Sequence, residues 1–208
     1  MNFAQSISAR NRQRKWGLFL RTIAPTSSTT VLDVGFNDRE HSAVDNYLEK
    51  HYPWPGQITA LGVQEPREFP KRYPEVKVVQ YAGGRFPFPD QSFDVVWSNA
   101  VIEHVGDRTR QLEFVREIAR VGRRAFITTP NRHFPVEVHT LTPFLHWLPD
   151  PVFHAYLRLI GKGWAAGDYM RLLSGGDLRG LLSEAGWNYQ LRRNRLCGLT
   201  LDFVALLK

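Results

Sequence analysis

The chain holds one cysteine, Cys197, in 208 residues. That excludes an internal disulfide framework and a cysteine-based zinc cluster, and it suits a reducing, cytoplasmic setting. Nowhere do about 18 uncharged apolar residues run together, so no membrane span is expected. The apolar stretch 16–24 is broken by Arg21 and followed by Pro25 without a small-residue cleavage pattern, so it does not read as a secretory signal. Acidic charge is in deficit, with 20 Asp and Glu against 27 Lys and Arg and a formal net charge of +7. The basic excess is spread over the N-terminal arginines, 108–124 and 192–195, and part of it lies at helical spacing beside Glu113 and Glu117. Such spacing marks solvated ion-paired faces more than a nucleic-acid footprint, so nucleic acid is not the expected partner. There is no internal repeat, low-complexity tract or interdomain linker. The G-x-G-x-x-G turn of a nicotinamide-dependent dehydrogenase is missing too.

What is present is a packed domain, 43% hydrophobic and 12% aromatic, long enough to fold without a disulfide or metal. Apolar runs ended by turn residues predict strands at 30–34, 58–63, 76–81, 93–98 and 125–129. Helical spacing of Ala43, Val44, Tyr47 and Leu48 predicts a helix stopped by Pro53, and Leu112, Val115, Ile118 and Ala119 predict a stronger one. Two prolines keep Phe86–Asp90 irregular, with Phe86 and Phe88 packing that loop. Residues 1–29 read as a helical flank, with Arg10, Arg12, Arg14, Lys15 and Arg21 around an apolar face. Residues 131–173 break the rhythm and read as an insertion or lid, with Trp147, Trp164 and Tyr169 packing it or meeting substrate. In it Asp150 and Pro151 stand as N-cap and first helical residue. Ser174 and Asp177 form a capping pair for a helix ended by Gly186. A terminal hairpin of strands at about 187–193 and 198–207 closes the chain. Alternating strands and helices imply one α/β domain over 1–208, a doubly wound Rossmann-like sheet with right-handed crossovers. Ligands of such sheets bind outside the carboxyl ends of the strands, which directs attention to 33–39, 64–66, 82–84, 99–105 and 131–139.

Three segments, Val31-Leu-Asp-Val-Gly35, Phe86-Pro-Phe-Pro-Asp-Gln-Ser-Phe-Asp-Val-Val96 and Ser98-Asn-Ala-Val-Ile-Glu-His-Val105, resemble in order and spacing the class I S-adenosylmethionine-dependent methyltransferases of the small-molecule, type 11-like kind. The resemblance runs from about 30 to 140. It implies a seven-stranded sheet with the last strand antiparallel, S-adenosylmethionine as cofactor, and methyl transfer to an O or N atom of a small organic, glycan or lipid-linked acceptor. Asp33 and Gly35 match the family's cofactor loop, but Asn37 and Arg39 stand where later glycines belong. Gln64 replaces the acidic residue that receives the ribose, with Glu65 beside it, and Ala82 replaces an aspartate near the adenine. The implied cofactor set is Asp33, Gly35, Phe36, Asn37, Gln64, Glu65, Ala82, Gly83, Asn99 and Ala100.

His104 and His139 are the candidate catalytic bases, since an imidazole accepts a proton near neutral pH, and a polar lid contact is the equal alternative for His104. Glu103 opens the helix after the fourth strand, where a helix dipole alone favours an acid. The spacing of His133, Glu137 and His139 lacks a fourth-ligand pattern, so no metal is expected. Two rivals stay open. One is a catalytically silent domain acting through a protein partner, and the other an RNA methyltransferase. The oligomeric state is not legible.

Overall fold

Apolar runs that alternate with amphipathic helices leave few ways to bury both sheet faces, and the computed structural model adopts one of them. It describes residues 3–167 and 170–208, so Tyr169 lies outside the described residues. The strands are β1 (Val31–Val34), β2 (Ile58–Gly62), β3 (Lys77–Gln80), β4 (Val95–Asn99), β5 (Ala125–Pro130), β6 (Val136–Glu137), β7 (Thr142–Pro143), β8 (Tyr189–Leu196) and β9 (Leu199–Leu207). The α-helices are α1 (Phe3–Ile23), α2 (Tyr47–His51), α3 (Phe69–Arg72), α4 (Arg108–Val121), α5 (Asp150–Leu159) and α6 (Gly175–Glu184). Seven strands form one sheet in the order β3-β2-β1-β4-β5-β9-β8, and β6 pairs with β7 separately. β1 is parallel to both β2 and β4, whereas β8 and β9 are antiparallel. The expected Rossmann-like α/β fold, with its antiparallel end, is present.

The chain gathers into two compact units. The first comprises Met1–Ser98 with Arg120–Phe126, the second Asn99–Ala119 with Ile127–Lys208. In the first unit every residue of β1 is buried, as a central parallel strand requires. Phe19 of α1 meets Trp97 and Phe126 edge-on at 5.0 and 5.5 Å, and Trp97 stacks on Phe126 at 4.9 Å. The irregular 81–93 segment is pinned as expected by Phe86, which is buried against Tyr81, and by Phe88 against Phe93. Arg120 ties it further by donating to the Phe86 and Phe88 carbonyls and the Asp90 carboxylate.

In the second unit α6 begins with the expected reciprocal cap between Ser174 and Asp177, and buries Leu178, Leu181 and Leu182. The β8–β9 hairpin turns on Cys197 and Gly198, both at positive φ (49° and 81°), the geometry of a tight two-residue turn that follows strand twist. Among the described residues no helix is long and apolar enough to cross a membrane.

Three local expectations are corrected. The helix expected from Ala43 is confined to Tyr47–His51, because Asn46 sits in the left-handed region (φ 47°, ψ 47°) and the Asp45 carboxylate accepts the N–H groups of His41 and Ser42. α5 starts one residue early, with Pro149 as its cap and Asp150 inside the first turn. Trp147 and Trp164 do not pack the insertion's interior. They stay about half exposed, at 47% and 55%, while Phe153, Leu157 and Ala165 form its core. The Trp147 indole N–H is held at the surface by the Arg132 carbonyl, 3.0 Å away.

Candidate functional site

In the first unit the residues after β1 build a loop without the glycines that usually permit one. Gly35 takes φ 103°, and its N–H donates to the Leu61 carbonyl on β2. Phe36 turns inward. A Cβ on Gly62 would lie 2.6 Å from its ring, so β2 must offer a glycine there, and Phe36 also packs on Phe69 at 4.6 Å. Its side chain is thus a buried anchor of the loop, and only its backbone is left to face a ligand.

Asn37 is held by Asn46, whose side-chain oxygen accepts the Asn37 N–H and whose amide donates to the Asn37 carbonyl, both at 2.9 Å. This substitutes a side-chain clamp for glycine's freedom. Asn46 also donates to Glu40, which accepts from Tyr73 at 2.5 Å and pairs with Lys50 at 2.8 Å. Burial opposes ionisation of Glu40, but Lys50, Tyr73 and Asn46 outweigh it and hold its pKa below the usual value. Asp38 accepts the N–H groups of Phe69, Glu68 and Arg67, which likewise keep its carboxylate acidic.

Of the ribose-side candidates, Gln64 accepts weakly from the Asp38 N–H at 3.4 Å, and Glu65 is engaged by Arg67 at 2.6 Å. Ala82 and Gly83 are exposed after β3. Gly83 (φ 90°) and Gly84 (φ 73°) have open space where a side chain would stand.

Asp33 is buried at the centre of the loop's base. Burial pushes its carboxyl up to about 6, with a hydrogen bond to Glu49 and the Arg12 charge pulling the other way. Glu49 is driven well above the usual glutamate value, first by burial and then by the Asp33 charge. As a carboxylate, Glu49 has two buried oxygens without a hydrogen-bond partner. Protonated, it becomes the donor that Asp33 needs, so the pair shares one proton.

The second unit assembles the other candidates. Asn99 accepts the Thr128 hydroxyl at 2.8 Å, and the Ala100 N–H donates to the Thr128 carbonyl. Ala100 itself takes φ 58°, a strained value for an alanine of the kind that gathers at functional sites. The turn Ile102–His104 is fixed from behind, because Gln111 donates to the Ile102 carbonyl and Arg171 to the Glu103 carbonyl. Glu103 is fully buried. One of its oxygens accepts the Thr129 hydroxyl at 2.9 Å and the other has no hydrogen-bond partner.

The Nε2 atoms of His104 and His139 lie 3.3 Å apart, and His139 Nδ1 meets Glu137 at 2.8 Å. Burial alone would raise the Glu137 carboxyl. Hydrogen bonds from His139 and Thr140, with the His139 charge, overcome that and hold it at about 2. His133 does not join the group. It is exposed, and its N–H donates to the Asn131 side chain. Sequence reasoning missed Glu49, Asn46 and the part of Glu103. For the last, the adjacent Glu103-His104 pair was the available signal.

The strand order β3-β2-β1-β4-β5-β9-β8 gives the chain the Rossmann-like α/β fold of solved S-adenosylmethionine-dependent methyltransferases. Its residues 46–125 match the family described as Methyltransferase domain. A probable S-adenosylmethionine-dependent methyltransferase of Mycobacterium tuberculosis is 48% identical over 64 residues, 29% of this chain and 22% of that protein. The glycine/sarcosine/dimethylglycine N-methyltransferase of Actinopolyspora halophila is 27% identical over 125 residues, 56% of this chain and 21% of that protein. The chain's match thus spans about a fifth of the length of these curated relatives. Among solved structures, the magnesium protoporphyrin IX methyltransferase of Synechocystis PCC 6803 with bound SAH superposes with a TM-score of 0.63 at 13% identity, covering 100% of this chain and 88% of that one.

Proposed function

We propose that the chain is an S-adenosylmethionine-dependent methyltransferase whose acceptor is an O or N atom of a small organic, glycan or lipid-linked molecule. The observation that carries this is Asp33-Val34-Gly35 closing β1 in a sheet of this order. The residues present fit the cofactor in chemistry. An ionised Asp33 suits a cationic amino acid, and the open Gly83–Gly84 turn leaves backbone amides accessible. Bound S-adenosylmethionine supplies a methyl group on a sulfonium centre, and displacement there needs mainly alignment and exclusion of water.

In this reading Asp33, Gly35 and the backbone of Phe36 and Asn37 hold the amino-acid part. Gln64, Glu65, Ala82 and Gly83 serve the nucleoside, largely through backbone. The second unit supplies Asn99 and Ala100 as further cofactor candidates and His104 and His139 as acceptor-side candidates. Exposed Leu141, Phe144, Trp147 and Trp164 on the insertion suit an organic acceptor better than a polyanion. Relatives named for glycine derivatives and a porphyrin point the same way. Cys197 as a free thiol is in keeping with a cytoplasmic setting.

Calorimetric titration with S-adenosylmethionine and S-adenosylhomocysteine, with NAD as control, tests the reading. Micromolar binding of both, weakened about tenfold or more by Asp33→Ala, is the expected result. No binding up to millimolar concentration overturns it in favour of a silent domain acting through a protein partner.

A further inference from the structure

Within the second unit, three side chains present ligand atoms to one point. The carboxylate of Glu103 and ring nitrogens of His104 and His139 all lie within 4.8 Å of one another. Glu103 Oε1, buried and without a hydrogen-bond partner, is 3.7 Å from His139 Nε2. A buried carboxylate oxygen left unmatched is costly, and a cation removes that cost.

The supporting shell is also built. Glu137 is buried and takes the Nδ1 side of His139, as well as the N–H groups of His139 and Thr140 and the Thr140 hydroxyl. A carboxylate on Nδ1 fixes the tautomer in which Nε2 carries its lone pair outward, as in metal-binding histidines. Thr129 orients Glu103 by bonding its other oxygen. Two imidazole nitrogens 3.3 Å apart repel through their lone pairs unless a proton or a cation lies between them.

We propose that Glu103, His104 and His139 form a binding site for one divalent transition-metal ion, with Glu137 as the positioning residue behind His139. Two imidazoles and one carboxylate suit zinc, iron(II) or manganese(II), and three protein ligands leave coordination positions for water or an acceptor oxygen. An ion there takes both Nε2 lone pairs, which replaces the free-base role expected from the sequence. The proposal stands without the methyltransferase reading, because metal binding is measured without cofactor or acceptor.

The test strips the purified chain with a chelator and titrates it with zinc by calorimetry and with cobalt(II) by visible absorption. The expected result is one equivalent bound at micromolar affinity or tighter, with cobalt bands of a nitrogen–oxygen site. His139→Ala and Glu103→Gln each weaken binding at least about tenfold, Glu137→Gln by about 10- to 100-fold, and His133→Ala leaves it unchanged. Circular dichroism of each variant separates loss of a ligand from loss of fold. Absence of stoichiometric binding by the stripped wild-type chain overturns the proposal, as does binding indifferent to His139→Ala and Glu103→Gln in folded protein.

Discussion

The first unit buries the acid pair Asp33 and Glu49, the second buries Glu137, and the two places treat a carboxyl in opposite ways. Asp33 and Glu49 have little but each other and the distant pull of Arg12, so desolvation wins and both are driven toward the neutral form. Glu137 is also buried, yet two backbone N–H groups, a hydroxyl and an imidazole reach it, and it stays ionised. Burial alone therefore does not decide whether a carboxyl keeps its charge. The number of donors folded around it does.

Removing the anion from the donor-rich side should break the contrast most. Glu137→Ala strands the His139 and Thr140 donors in a buried place, so a loss of about 3 kcal/mol or more is expected, several degrees of melting temperature by scanning calorimetry. Glu49→Gln acts on the donor-poor side. Because Asp33 and Glu49 hold their protons more tightly folded than unfolded, wild-type stability falls as pH rises from about 4, through about 6 for Asp33 and further for Glu49. The glutamine still donates to Asp33 and cannot ionise. The variant should gain on wild type at pH 8 by on the order of 2 kcal/mol and match it more closely at pH 4. Melting curves at the two pH values decide, and equal offsets at both would refute the shared proton. Arg67→Ala, finally, removes an exposed partner of Glu65 and should leave the melting temperature unchanged, marking how little a solvated pair contributes beside a buried one.

The strands, the Ser174–Asp177 cap and the terminal hairpin were legible because their signals are local: apolar runs, a capping spacing, an edge turn. The loop from Gly35 to Asn46 was not. Asn37 and Arg39 read as damage to a glycine pattern, whereas Asn46, Glu40 and Tyr73 repair it through bonds that span up to 33 residues. The same holds for the histidine cluster. Glu103 and His104 are adjacent, but His139 is 35 residues beyond His104, on an insertion whose path no periodicity announces. Sequence reasoning grouped His139 with its neighbour His133, and folding grouped it with Glu103.

The tip of the terminal hairpin has a practical consequence. Cys197 is the sole cysteine and it is exposed, so a maleimide dye would attach at one defined point without any engineering. A fluorophore there would report on the hairpin's surroundings, and non-reducing electrophoresis would reveal whether two molecules cross-link through that thiol on air oxidation.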